Sequence, residues 1–339
     1  MKALIVPRRG ALELAEIAPP ELGPYDALVK MEVCGICNST DGKLVDGTMF
    51  WAPPFPFVIG HESVGSIVAV GPRVTSYHVG DRVNRPVAFW PGSRPELNCA
   101  MGGFAEYGMV RDGRAMAADG DTSLVGNYLA DRQIVLPPGL APEDAALAIS
   151  LSETASVLRH MPNLRGRTVA VAGTGIAGLA FTLWAKLAGA RVVAIGRREA
   201  RLAHARQVGA DMTVDTTAGD PAEQLLRVAG GPVDALIEAT GDAPLAARLE
   251  GALAPDGVAV AYGVPPTGTS YGPRWSNARV EEHLSLPWVA DLLARGWVRP
   301  EWFITHRWGL DEAPEAFAMV GRGEVVKGLV VLHGAEAPQ

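Results

Sequence analysis

Cysteine is scarce in this chain, with three residues in 339. So small and odd a number cannot build a disulfide framework, and it fits a reducing, cytoplasmic compartment. No long basic run is present and the formal net charge is −7, which argues against nucleic acid as a partner. Long hydrophobic runs are almost missing. Met1-Lys2-Ala3-Leu4-Ile5-Val6-Pro7 lacks the apolar stretch of a signal peptide. The longest uncharged run, Val169 to Ala185, is interrupted by glycines and threonines and followed by Lys186. It is short for a membrane span and reads as a buried strand-turn-helix, so no membrane partner is expected. Internal repeats and low-complexity segments are also lacking.

What the chain does have is core-forming material: 48% of its residues are apolar, and its length suggests two domains. Residues 1–112 read as short β-rich pieces, such as Ala27 to Val33 and Val64 to Val70, punctuated by Pro53-Pro54, Gly60, Gly71-Pro72 and Gly80-Asp81. That rhythm predicts a barrel-like β domain. Residues 112–133 are polar and without clear periodicity, and read as a loop or lid. Pro142 with Glu143 and Asp144 marks a helix start.

From Thr168 the rhythm changes. Strands are expected at Val169–Ala172, Arg191–Ile195, Ala235–Glu238 and Gly257–Tyr262. Helices are expected at Ile176–Ala188, Arg198–Val208 and Pro244–Ala252. This alternation predicts a parallel α/β domain. Helices around Leu286–Arg295 and Glu312–Val320 and a strand at Gly328–Leu332 follow. The expected division is 1–145 with 285–339, and 146–284.

Gly173-Thr174-Gly175-Ile176-Ala177-Gly178 follows the first strand of that domain and opens its first helix. In this context G-x-G-x-x-G predicts a dinucleotide site, with the pyrophosphate at the helix N-terminus. The end of the second strand lacks the acid that would bond the ribose 2′-OH of NAD(H). It reads Gly196-Arg197-Arg198 instead. Guanidinium groups suit a phosphate dianion, so NADP(H) is expected over NAD(H).

Gly60-His61-Glu62-Ser63-Val64-Gly65 sets a histidine beside an acid, and Cys34-Gly35-Ile36-Cys37 lies upstream. Cys and His together most often hold Zn²⁺. Cys34, in an apolar strand, reads as a buried residue and not a ligand. With Gly71, Val74, Gly102-Gly103-Phe104-Ala105-Glu106-Tyr107 and the glycine fingerprint, these residues resemble the zinc-dependent medium-chain dehydrogenases, the sorbitol, threonine and secondary-alcohol dehydrogenases among them. The resemblance covers nearly the whole chain. It implies a GroES-like β-barrel catalytic domain joined to a Rossmann doubly wound domain, with catalytic zinc in the cleft. It implies Cys37 and His61 as ligands, Glu62 as a ligand or a nearby acid, and Glu153 in the place of a third protein ligand. Thr240, Val264 and Lys327 are implied as further cofactor contacts.

Three departures accompany the resemblance. Many relatives carry a second, structural zinc on four close cysteines, but Asn84 to Ala100 holds only Cys99, so one catalytic zinc per chain is expected. Relatives often read Cys-x-Ser/Thr-Asp-x-His. Here the run is Cys37-Asn38-Ser39-Thr40-Asp41-Gly42-Lys43, so either Ser39 or Thr40 can relay the substrate proton, and Lys43 stands near the missing histidine's place. Residues 112–133 look inserted.

The implied activity is hydride transfer between NADP(H) and a secondary alcohol or ketone, leaning to a polyol, sugar or aminocyclitol. A simple aliphatic or aromatic alcohol or aldehyde is the alternative substrate. A zinc-free reductase or a nonenzymatic binding protein on the same fold is the alternative class. Phe50, Trp51, Trp90 and Trp275 are the candidate walls of the substrate pocket. A homodimer or homotetramer is expected, with the sheet edge near Ala259–Val264 as a pairing edge.

Overall fold

The computed structural model describes residues 1–332. Among the described residues two compact units are present: residues 1–149 with 286–332, and 150–285. Among the described residues, no helix is long and apolar enough to cross a membrane.

The first unit begins with β1 (Lys2–Val6), β2 (Glu13–Glu16), β3 (Asp26–Ile36), α1 (Thr40–Val45), β4 (Phe57–Val58) and β5 (Glu62–Val70). It continues with β6 (Arg82–Asn84), β7 (Asn98–Cys99), β8 (Tyr107–Arg111) and α2 (Gly113–Ala118). One sheet has the order β2-β1-β4-β7. The other runs β15-β16-β3-β5-β6, with β8 also on β3; β15 (Ile304–Gly309) and β16 (Lys327–Val331) come from the end of the chain. The long strand β3 is the hub. Its alternating apolar residues Val29, Met31 and Val33 are buried, as are Leu4, Phe57, Ile67 and Phe104 from neighbouring elements.

The β3 ladder places the chemistry. β5 runs antiparallel to β3 with Gly35 opposite Glu62, and β16 runs antiparallel to it with Gly328 opposite Ile36. Cys37 therefore leaves β3 just where His61 enters β5 and Lys327 enters β16. The bend ahead of β5 depends on Gly60 at φ 114°, since a Cβ there would lie 2.7 Å from Phe104 N.

Residues 112–133 hold the short helix α2 followed by turns that are mostly exposed, and the segment is anchored at both ends. Asp112 caps α2, and its buried carboxylate also accepts from the backbone N–H groups and hydroxyls of Thr75 and Ser76. Gln133 closes the segment by donating to Arg85 O. Short-range side-chain-to-backbone bonding carries no hydrophobic period, so the order was invisible to patterning.

α3 (Pro142–Leu158) leads into the second unit. There β9 (Thr168–Ala172), α4 (Ile176–Leu187), β10 (Arg191–Gly196), α5 (Glu199–Val208) and β11 (Met212–Asp215) are followed by α6 (Pro221–Ala229), β12 (Val233–Glu238), α7 (Ala243–Leu249), β13 (Leu253–Ala261) and β14 (Trp275–Asn277). All six strands are parallel, in the order β11-β10-β9-β12-β13-β14. This is the doubly wound arrangement, with its switch point between β9 and β12. The chain then returns to the first unit through α8 (Glu282–Ala294), β15, α9 (Ala313–Gly321) and β16.

β11 and α6 lie outside the expected elements. β11 is short and mixed in polarity. α6 does carry a start signal: Asp220 caps it, accepting from Ala222 N and Glu223 N, with Pro221 in its first turn. The expected pairing edge is corrected as well. Ala259–Ala261 is covered by Trp275–Asn277, so the edge of this sheet is β14. A three-residue strand after a proline- and glycine-rich loop offers too few residues to show a period of two.

Candidate functional site

In the first unit Cys37, His61 and Glu62 converge. Their candidate ligand atoms all lie within 4.8 Å of one another. Asp41, fully buried in α1, organises the pair. Its Oδ1 is 2.9 Å from His61 Nδ1, and its Oδ2 accepts from Cys37 N at 2.9 Å. With Nδ1 so engaged, His61 Nε2 is turned toward Glu62, 4.0 Å from Oε1. Burial alone would depress the His61 pKa. The Asp41 carboxylate and then Cys37 outweigh it and hold the pKa well above its usual value.

Arg85 braces this pair from below. It is fully buried at φ 52°, and its guanidinium donates to the carbonyl of His61. Glu62 forms a buried ion pair with Lys327, whose Nζ also donates to Ile36 O at 3.3 Å. Lys327 is thus the counter-ion of Glu62, its ammonium wholly enclosed. A sulfur, a nitrogen and a carboxylate oxygen at this spacing fit a zinc ion.

The proton-relay candidates flank this group. Ser39 is exposed just before α1, and Thr40 opens the helix, half-buried. Lys43 lies one turn further on, where burial lowers its ammonium pKa. Phe50 and Trp51 follow α1 and are 88% and 38% exposed. Trp90 packs on the cluster of Val87, Ala88 and Phe89, with the Arg111 guanidinium 4.6 Å from its ring centre. Trp275 is corrected. It is buried in the core of the second unit, its Nε1 donating to Glu250 Oε1 at 2.7 Å, and it serves the sheet instead of a pocket wall. Cys34 is buried, and burial raises its thiol pKa well above normal; burial likewise pushes Cys99 up to about 12.

In the second unit two of the three fingerprint glycines are required by close contacts within the protein, and the third faces open space. Gly173 turns at φ 118°, and a Cβ there would crowd Thr240 Cγ2 at 3.0 Å. A Cβ on Gly178 would lie 2.0 Å from Gly173 O, so α4 could not approach β9. A Cβ on Gly175 would meet nothing within 4 Å. The space in front of the α4 N-terminus is therefore open, as a pyrophosphate requires. Thr174 sits against Gly196, where a Cβ would be 3.0 Å from Thr174 Cγ2. Arg197 and Arg198 are exposed beyond it, and Arg201 is half-buried one turn along α5. Val264 is exposed beyond β13, and Thr240 is held by the buried carboxylate of Glu238. Glu153, on α3, accepts a 3.0 Å hydrogen bond from Tyr262 at the end of β13.

The family model for zinc-binding dehydrogenases matches residues 177–279, and that for the alcohol dehydrogenase GroES-like domain matches residues 23–119. A probable alcohol dehydrogenase of Mycobacterium tuberculosis is 35% identical over 291 residues, covering 79% of this chain and 77% of that one. Sorbitol dehydrogenase of Rattus norvegicus is 30% identical over 346 residues, covering 97% and 95%. The chain belongs to the zinc-dependent medium-chain alcohol dehydrogenase family. Among solved structures, an alcohol dehydrogenase from Thermus sp. ATN1 superposes with a TM-score of 0.81 at 27% identity, over 98% of this chain and all of that one. A zinc-binding dehydrogenase from Sinorhizobium meliloti 1021 bound to NADP gives 0.80 at 28%, over 98% and 99%. This dehydrogenase thus joins a GroES-like domain to a Rossmann-type domain, and it is a zinc-type alcohol or polyol oxidoreductase using a nicotinamide cofactor.

Sequence reading had passed over Asp41, Arg85, Glu238, Tyr262 and Tyr271. Asp41 carried a readable signal, because an acid one helical turn after Cys37 can reach back to it. Arg85 and Tyr262 act across long sequence separations, and Glu238 joins its own turn to the distant Tyr271.

Proposed function

We propose that this dehydrogenase holds one catalytic zinc on Cys37 and His61, with Glu153 as the third protein ligand and Glu62 as a ligand or the acid beside it, keeps a position open to the substrate oxygen, and moves hydride between NADP(H) and a secondary alcohol or ketone. The convergence of Cys37, His61 and Glu62 carries the reading. When bound, zinc supplies Lewis acidity to the substrate oxygen, and the nicotinamide supplies or accepts the hydride. The chain's own residues do the rest. Asp41 fixes which nitrogen His61 presents. Lys327 keeps Glu62 ionised inside the protein: burial opposes the charge, but the ammonium outweighs it and lowers the carboxyl pKa. Ser39 or Thr40 relays the substrate's hydroxyl proton, accepting it at its own oxygen as its own hydroxyl proton leaves toward water.

The cofactor preference rests on Arg197 and Arg198, exposed beyond a strand end that carries no acid. The NADP-bound relative at 28% identity supports it. A polyol, sugar or aminocyclitol is the favoured substrate class, supported by the match to a sorbitol dehydrogenase along nearly the full chain. A simple alcohol is the second reading, favoured by the exposed apolar Phe50 and Trp51 and by the match to an alcohol dehydrogenase. Association into a homodimer or homotetramer belongs to the same proposal.

A turnover screen of polyols, aminocyclitols and simple alcohols tests this, run with NADP⁺ and NAD⁺ in parallel on protein of measured zinc content and measured mass in solution. Preference for NAD⁺ refutes the arginine argument. Two zinc ions per chain refute the single site. Full turnover of Cys37→Ser or His61→Ala after chelation refutes the metal role.

A further inference from the structure

Tyr271 has no part in the expectations above, yet it meets the most heavily bonded carboxylate of the second unit. Glu238 ends β12 and is fully buried. It accepts from Thr240 N at 2.5 Å, from the Thr240 hydroxyl, from Gly241 N at 3.0 and 3.1 Å, and from the Tyr271 hydroxyl. The same Tyr271 hydroxyl lies 2.7 Å from Gly263 O, so its single proton is shared between Glu238 and the backbone beyond β13. The Tyr271 ring rests on Trp275, with centroids 5.9 Å apart, and Trp275 is anchored to Glu250.

The two turns gathered here touch backbone to backbone. A Cβ on Gly263 would lie 2.2 Å from Gly241 N, and one on Gly241 would lie 2.6 Å from Val264 O. Neither turn can shift without the other. One carries Thr240 and the other Val264.

Topology says what this pair of turns faces. The sheet runs β10-β9-β12-β13. Arg197 and Arg198 at the end of β10 mark the adenosine side, and the glycine turn after β9 marks the pyrophosphate. A dinucleotide laid across the strand ends therefore has its other half over β12 and β13. We propose that Tyr271 is a positioning residue for the nicotinamide half of the cofactor: its hydroxyl, shared by Glu238 and Gly263, locks the Thr240 and Val264 turns in one arrangement. The proposal rests on the dinucleotide site above.

The test separates the two halves of the cofactor. Binding of NADPH and of 2′,5′-ADP is titrated on the full-length wild type, Tyr271→Phe and Glu238→Gln, with NADH and ADP-ribose in parallel. Tyr271→Phe is expected to weaken NADPH by about ten-fold, the loss of one hydrogen bond to a charged group, and to leave 2′,5′-ADP within about two-fold; Glu238→Gln is expected to act in the same direction. Equal weakening of both ligands overturns the proposal, because it would mean a general loosening of the nucleotide unit. Unchanged NADPH affinity in Tyr271→Phe also overturns it. Val264→Glu is the control for the contact itself. If it weakens NADPH while Tyr271→Phe does not, the turn meets the cofactor and only the lock is wrong. If it changes nothing, the turn does not meet the cofactor and the lock falls with it. Tighter wild-type binding of NADH than NADPH refutes the cofactor preference alone, and the lock is then read from the NADH and ADP-ribose pair.

Discussion

Lys327 and Glu62 form an ion pair closed to water on both sides, their side chains 0% and 3% exposed. Gly35 makes the room, since a Cβ there would lie 2.5 Å from Glu62 Oε2 and 2.8 Å from Lys327 Cε. Removing one member of such a pair strands a charge in a medium that solvates it poorly. Lys327→Met is expected to cost about 3–5 kcal/mol of stability. The Lys327→Met, Glu62→Met double variant should recover most of it. Denaturant unfolding of the metal-free proteins measures both, and a double variant as unstable as the single one refutes the pairing account.

Asp41 is expected to govern metal affinity without touching the metal. Asp41→Ala frees the His61 ring and the Cys37 backbone together. Zinc affinity, read by competition with a chromophoric chelator, should fall about 10–100-fold. An unchanged affinity would mean that packing alone orients His61.

Two alanine substitutions in the glycine fingerprint should fail in different ways. Gly178→Ala drives a methyl into Gly173 O and is expected to lower the melting temperature. Gly175→Ala points its methyl into open space, so the fold should keep its melting temperature while cofactor affinity drops. Thermal melts with and without cofactor distinguish the two.

The pair Arg197→Ser and Arg198→Ser is expected to lower the NADP⁺ to NAD⁺ ratio of kcat/KM by about ten-fold or more, the scale of a lost charge-assisted contact. The change should sit in the NADP⁺ arm. A fall in both arms alike would place the arginines in folding and not in selection.

Asp112 gives the stability a predictable acid arm. Burial disfavours its charge, but the N–H groups of Ala115, Thr75 and Ser76 outweigh that and lower its pKa. The folded value lies below the unfolded one, so its contribution is complete above about pH 4 and is lost as pH falls through the folded value. Asp112→Asn should be less stable at neutral pH and flatter at acid pH. Parallel unfolding curves from pH 6 to pH 3 check this.

Much of the second unit was readable because its signals are local. Gly173 to Gly178 fall within six residues, and the strands and helices around them carry clear periods. β11 and β14 escaped because they are short and mixed in polarity. In residues 112–133 only α2 and the anchoring bonds of Asp112 and Gln133 lay beyond the sequence's reach, because polar bonds leave no period. Trp275 shows why a pocket wall is hard to read from sequence: a tryptophan looks like surface chemistry until its neighbours are known, and this one is enclosed in the core of the second unit.

By itself the sequence determined the metal-binding residue types, the glycine turn, the missing acid beyond β10 and the two-part architecture, because each depends on residues near one another in the chain. Only the tertiary structure decided that Lys327 answers Glu62 across 265 positions, that Asp41 aims His61, and that Tyr271 joins two strand ends. A buried charge must find its partner wherever the fold brings one, and strand register, not sequence distance, sets who that partner is.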